Sequence, residues 1–194
     1  MSEEKLSYEL IDWNKLQNLT KILAKKVKES KYEPDVIVGI SRGGWAVARL
    51  LCDYIGCKDI FSLDLKHWDK QVGSSFLNTN LLEKKILLVD DIINRRSMQA
   101  IKSIASSKPD GIRILALFYT KGAIAPDYYV EEISHKSLIF PWNFVDSVRR
   151  IIYKNLDKFE KMSDKRIRSK IKKSFNIDVE ERVIEEILRN QEKI

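Results

Sequence analysis

Two hydrophobic periods alternate along this chain. Short apolar runs occur at Val36–Ile40, Ile60–Leu65, Lys84–Val89 and Ile112–Tyr119, the length and composition of buried strands. Between them apolar residues recur at helical spacing. Leu16, Leu19, Ile22, Leu23 and Val27 form one stripe over residues 12–30, Trp45–Ile55 is helix-like, and Met98, Ile101, Ile104 and Ala105 form another stripe. Strands alternating with helices in this way predict a largely parallel α/β sheet. Two shorter apolar pieces follow, Tyr128–Val130 and Leu138–Trp142, the second ended by Pro141.

Beyond residue 147 the pattern is helical only. Val148–Phe159 is one stretch. Asp164–Phe175 is a second, with Ile167, Ile171 and Phe175 on one face. A third carries Val179, Val183, Ile184, Ile187 and Leu188, with Asp178 in the position of its N-cap. The expected organisation is an α/β domain over residues 1–146 and a basic helical appendage over 147–194, packed on the sheet domain or on a partner subunit.

Ligands of open parallel sheets bind beyond the carboxyl ends of the strands. Four polar segments fall at such ends: Ser41–Gly44, Lys66–Asp69, Asp90–Ser97 and Lys121. In Ser41-Arg-Gly-Gly44 the adjacent glycines are expected to permit φ > 0 and close ligand approach, and Arg42 adds a permanent charge, which together suit an anion. Asp90 and Asp91 follow the run Ile86–Val89, where the strand is expected to end. Carboxylates there hold ribose hydroxyls or Mg²⁺, and the helix after them offers N–H groups to a phosphate. The same acids also suit an α/β strand that ends in Asp without using it. Lys66–Asn80 has the length of a functional lid, with Lys66, His67 and Trp68 at its root.

Composition narrows the class. The chain has 194 residues, 44% hydrophobic and 32% charged, with a net charge of +7, as a folded soluble domain would. No apolar run approaches the ~20 residues of a membrane span. The segment Met1–Lys5 lacks the apolar core of a signal peptide. A cytoplasmic protein with no membrane partner is expected. Cys52 and Cys57 are expected on one helix as buried free thiols. Residues 147–194 hold fourteen Lys/Arg against nine Asp/Glu, six of the cations within 165–173. That density suits a solvated helical face better than RNA, so nucleic acid is not an expected partner.

Three motifs carry a family resemblance over residues 35–142. Val38-Gly-Ile-Ser-Arg-Gly-Gly44 resembles the pyrophosphate loop of type I phosphoribosyltransferases. Val89-Asp-Asp-Ile92 resembles the start of their phosphoribosyl-diphosphate motif, usually V-D-D-x-x-D-T-G-x-T. Lys121, Pro126-Asp-Tyr-Tyr-Val130 and Phe140-Pro-Trp142 resemble the base-binding region of the purine branch, which includes the archaeal 6-oxopurine and xanthine-guanine enzymes. The order and spacing of the three are the family's. The resemblance implies a mostly parallel sheet flanked by helices, a small hood from about residue 120 to 142, and a homo-oligomer, dimer or tetramer. It implies purine salvage: a free base and phosphoribosyl diphosphate become a nucleoside monophosphate and pyrophosphate, with Mg²⁺ as cofactor.

It also implies roles. Asp90 and Asp91 would grip the ribose hydroxyls directly or through the metal. Ser41, Arg42, Gly43 and Gly44 would hold pyrophosphate. Lys121 would donate to the purine O6, with Leu138, Phe140 and Trp142 around the base. Lys66, His67 and Trp68 would root a lid that excludes water. Asn94 would occupy the catalytic-acid position, and Asn94, Arg95, Arg96, Ser97 and Met98 the phosphate loop. Here the chain departs from the family. Asn94 cannot carry a proton away, Arg95-Arg96 replaces Thr-Gly, Met98 replaces the closing Thr, and Ser137 stands where an aromatic often stacks the base. The two arginines and Ser97 suit phosphate through side-chain forks, or a larger anion such as a polyphosphate. Two readings follow: an active purine phosphoribosyltransferase, or a regulatory protein of that fold that binds a nucleotide or phosphosugar without transfer.

Overall fold

The structure is a computed structural model and describes residues 7–64, 83–106, 111–155, 159 and 162–189, apart from the side chains of Arg96, Ala100, Ser103 and Ser106. The expected lid root, Lys66, His67 and Trp68, lies outside the described residues. The chain divides into two compact units, residues 14–134 and residues 1–13 with 135–194.

The first unit is built on β2 (Val36–Ile40), β3 (Asp59–Leu63), β4 (Ile86–Ile93), β5 (Ile112–Thr120) and β6 (Tyr128–Ile133). All neighbouring strands are parallel and the order is β3-β2-β4-β5-β6. Helix α1 (Trp13–Glu29) precedes the sheet, α2 (Gly43–Ile55) follows β2, and α3 (Arg95–Ser106) follows β4. Alternation along β2 assigns its two faces. Val36, Val38 and Ile40 join Ile86, Leu88, Met98, Ile101, Ile104 and Ala116 in one buried cluster, so α3 covers that face. Gly39 points the other way, where an added Cβ would lie 2.6 Å from the Trp45 Cα and 3.0 Å from the Ala48 Cβ of α2. Successive helices thus leave β2 and β4 on opposite faces, which makes the gap between these strands the topological switch point.

The α1 stripe is shifted from the expected one. Its buried residues are Leu16, Thr20, Leu23, Ala24 and Val27, while Ile22 is 46% exposed. Thr20 takes the inner position at no hydrogen-bond loss, because its Oγ1 donates to the Leu16 carbonyl at 2.8 Å. Cys57 is not on α2. The helix ends at Ile55, with Gly56 left-handed at φ 88° and its N–H on the Cys52 carbonyl. Both thiols are free, Cys52 buried and Cys57 half-buried.

The second unit pairs β1 (Ser7–Leu10) with β7 (Lys136–Ile139) in parallel. A 3₁₀ turn at Pro141–Asn143 leads into α4 (Phe144–Lys154), then α5 (Asp164–Phe175) and α6 (Glu181–Arg189). Ile139, Val148, Ile151, Ile152, Phe159, Ile167, Ile171, Ile177, Val179, Ile184 and Ile187 share one core. Residues 135–146 therefore group with the tail helices rather than with the sheet, earlier than the boundary expected at 146/147, because β7 supplies Ile139 to that core. Asp178 is not the cap of α6, which begins three residues later. Its carboxylate instead accepts from Arg168 Nη2 at 3.0 Å and from Lys172 Nζ at 3.0 Å. Those two hydrogen bonds, the Lys172 one foremost, hold its pKa below the ordinary value. Two of the six clustered cations are thereby used inside the fold.

Candidate active site at the sheet switch point

Pairing of β2 with β4 stops at Gly39 and Val89, whereas pairing of β4 with β5 continues through Asp90–Ala116 to Ile93–Tyr119. The acids are therefore inside the strand, not past its end as expected. They lie in the part of β4 that β2 no longer flanks. The first turn of α2 takes that place. A Cβ added to Gly44 would meet the Val89 carbonyl and lie 2.7 Å from the Asp90 Cα, and one added to Gly43 would fall on the Asp91 carboxylate. The glycines are needed for this contact and not for a left-handed backbone: among the described residues the glycines with positive φ are Gly56 and Gly122.

Asp90 is 7% exposed. Its Oδ1 accepts the Asp91 N–H at 2.9 Å, and Asp91 Oδ1 accepts the Ile92 N–H at 2.9 Å. Burial pushes the Asp90 carboxyl well above the usual carboxylate range. The Asp91 charge and side-chain hydrogen bond add to this, against the opposing Asp91 N–H. Asp91 is half-buried and Arg42 exposed. The Ser41 N–H donates to the Leu63 carbonyl at 2.7 Å, its hydroxyl hydrogen-bonds that of Ser62, and the Ser41–Arg42 peptide is cis. Two adjacent carboxylates form the acidic set, and among the described residues no three or more His, Cys, Asp or Glu are grouped so that they could hold a metal ion. That donor set does not suit an all-protein metal cage. It suits Mg²⁺, which commonly keeps waters and takes one or two carboxylates plus substrate phosphates.

Asn94 caps α3. Its Oδ1 accepts the Ser97 N–H at 3.0 Å, and the Ser97 hydroxyl accepts the Asn94 N–H at 3.0 Å, a reciprocal box. Met98 has no donor to offer a phosphate: its side chain is 3% exposed in the sheet core, and its N–H goes to the Asn94 carbonyl at 2.9 Å. Arg95 Nε donates to the Gly122 carbonyl at 3.4 Å, beside the exposed Lys121 at the end of β5. The Arg96 side chain lies outside the described residues.

Leu138, Phe140 and Trp142 belong to the other unit. Phe140 is fully buried and stacks on Trp142, centroids 4.8 Å apart at 6°. Phe140 therefore supports Trp142 rather than offering its own ring to a base. Trp13, 57% exposed, meets Trp142 edge-on at 6.4 Å. Within residues 14–134, then, the fold brings Gly43 and Gly44 against Asp90 and Asp91, and Arg95 against Gly122. The packing role of Gly39 and the parts of Ser62 and Trp13 were not read from the sequence. A glycine inside the run Val36–Ile40 was the available signal for close backbone approach, whereas nothing local marked Ser62 or Trp13.

An acid pair beside a helix N-terminus, at the switch point of a five-stranded parallel sheet, defines an open α/β domain. The sequence model of the phosphoribosyl transferase domain matches residues 9–147, and the chain belongs to that family. The mostly parallel, helix-flanked sheet and the purine-branch resemblance both stand. Purine phosphoribosyltransferase from Pyrococcus horikoshii is 26% identical, with 70% of this chain and 93% of that one covered at a TM-score of 0.55. The Helicobacter pylori xanthine-guanine-hypoxanthine phosphoribosyltransferase is 15% identical, with coverages of 74% and 98% and a TM-score of 0.56. A hypothetical protein from Neisseria gonorrhoeae with bound ppGpp is 16% identical, with coverages of 76% and 97% and a TM-score of 0.60. The last two likenesses concern the fold alone. No curated protein sequence matches the chain. No described helix is long and apolar enough to cross a membrane.

Proposed function

We propose that the chain transfers a phosphoribosyl group from phosphoribosyl diphosphate to a 6-oxopurine. The observation that carries this is the seating of Asp90 and Asp91 directly on the glycine start of α2. It supports the reading because the acid pair and the helix N-terminus lie side by side, as groups for the ribose and for the pyrophosphate at the two ends of the breaking bond must. Base nitrogen N9 attacks C1′, the C1′–O bond opens, and its electron pair leaves on pyrophosphate. Negative charge grows on the leaving oxygens, where Arg42 and the Ser41–Gly44 backbone stabilise it. Asp90 and Asp91 orient the ribose hydroxyls, and with substrate phosphates they would hold Mg²⁺, which supplies further charge neutralisation. Lys121 donates to the purine O6, as an ammonium can and a carboxylate cannot. Asn94 takes no proton, so the N–H proton of the base passes to water.

A second reading is binding without transfer. The closed Asn94–Ser97 cap and the core placement of Met98 favour it, since both remove donors from the phosphate loop. The ppGpp bound to the gonococcal protein makes a purine nucleotide carrying extra phosphates the natural probe. The two readings part in one assay. Pyrophosphate release is measured with Mg²⁺, phosphoribosyl diphosphate and guanine, hypoxanthine, xanthine, adenine or uracil. Release with a 6-oxopurine supports transfer. No release with any base, alongside calorimetric binding of a guanine nucleotide, overturns transfer in favour of binding.

A further inference from the structure

We propose that Arg95 is a positioning residue: from the first turn of α3 it holds the Lys121–Gly122 turn in place, and so sets which purine 6-substituent the site accepts. The proposal rests on the reading of Lys121 as the base-facing cation.

The turn is held from three sides. The Ala123 N–H donates to the Thr120 carbonyl at 2.9 Å, closing a four-residue turn, and the Lys121 N–H donates to the Ile133 carbonyl at 2.9 Å. Gly122 sits at φ 83°, as the third position of a type II turn requires. The third hold is Arg95, whose Nε donates to the Gly122 carbonyl at 3.4 Å. The peptide between Gly122 and Ala123 is thus gripped at both ends, its N–H by Thr120 and its oxygen by Arg95. Without Arg95 the oxygen side would be released, and a glycine peptide reorients at little steric penalty. Lys121 precedes that peptide by one residue, so its ammonium would sample a wider volume.

The anchor itself is rigid. Asn94 and Ser97 exchange two hydrogen bonds across the first turn that contains Arg95. The guanidinium also lies over Gly122, its Nη2 3.2 Å from where a Cβ would be. A planar, permanently charged fork suits such a carbonyl grip. Arg95 replaces a small residue of the family motif, and the structure uses it as a brace between two loops rather than as a second phosphate fork.

The test is calorimetric titration of the wild type, Arg95→Gln, Lys121→Met and the double variant. The probes are inosine 5′-monophosphate, adenosine 5′-monophosphate and ribose 5-phosphate. Arg95→Gln is expected to reduce the preference for the inosine over the adenosine nucleotide about fivefold, the scale of one hydrogen bond, and to change ribose 5-phosphate affinity less than about twofold. In the Lys121→Met background the Arg95 change is expected to add nothing. Equal weakening of all three probes, or additive effects in the double variant, makes Arg95 a phosphate ligand and overturns the proposal. A wild type with no 6-substituent preference, or with no binding of any probe, overturns it together with the Lys121 reading. The expected pattern without pyrophosphate release leaves the brace standing and removes only the transferase.

Discussion

Gly43 has no side chain because the carboxylate of Asp91 occupies the volume a Cβ would need. The two residues are far apart in sequence and belong to different motifs. Their contact joins the Ser41–Gly44 loop to the acid pair. Gly44 repeats the relationship against backbone, with the Val89 carbonyl and the Asp90 Cα.

That difference orders two substitutions. Gly43→Ala and Gly44→Ala are both overpacking changes, each expected to destabilise by about 1–3 kcal/mol. Gly44→Ala is expected at the upper end, because backbone cannot turn aside while the Asp91 side chain can. Urea unfolding measures both, and equal midpoints would contradict the ordering. Ligand binding is expected to fall in both, since Asp91 can accommodate a methyl group at position 43 only by leaving its place.

Asp90→Asn is expected to stabilise the fold while ending turnover. The Asp90 pKa is raised in the fold, so ionising it opposes folding. Stability is lost as pH rises from the unfolded value, about 3.9, toward the folded one, and the amide escapes this loss. The melting-temperature advantage of Asp90→Asn should therefore grow as pH rises above about 4. A difference independent of pH would show that the buried carboxyl is not the cause.

Asp178 predicts the opposite sign. Its pKa is lowered by Lys172 and Arg168, so its contribution is present above the unfolded value of about 3.9 and disappears as pH falls through the folded one. Asp178→Asn should melt lower than the wild type at neutral pH and alike in acid. The group is exposed, so salt should narrow the neutral-pH gap. A gap that persists in acid would assign the effect to something other than charge.

Asn94 separates capping from catalysis. Asn94→Ala removes the cap and is expected to destabilise by about 1 kcal/mol, whereas Asn94→Asp keeps an acceptor for the Ser97 N–H and should hold stability. The aspartate also restores a group able to accept a proton, so pyrophosphate release should rise by up to about 10²-fold. Unchanged release in Asn94→Asp, with stability intact, would place the limiting step elsewhere.

The parallel sheet was legible because alternation and helical spacing are local signals. Val36–Ile40 and Asp164–Phe175 match the observed elements residue for residue. Boundaries at polar residues were less legible. β4 runs on to Ile93 because β5 still pairs with it there, a partner that the acids themselves do not reveal. Asp178 looked like a cap because it precedes a helical run, yet two cations of the preceding helix claim it.

The sequence by itself determined the family and the alternation of strands with helices. These are carried by residue types at fixed spacing. Only the tertiary structure decided what each site residue does. It turned the glycines from expected positive-φ positions into the contact surface for Asp90 and Asp91, Met98 into core and Arg95 into a brace. Each of these outcomes depends on an atom that folding brings in from a distant segment, and the excluded volume and hydrogen-bond partners of such atoms exist only once the sheet has assembled.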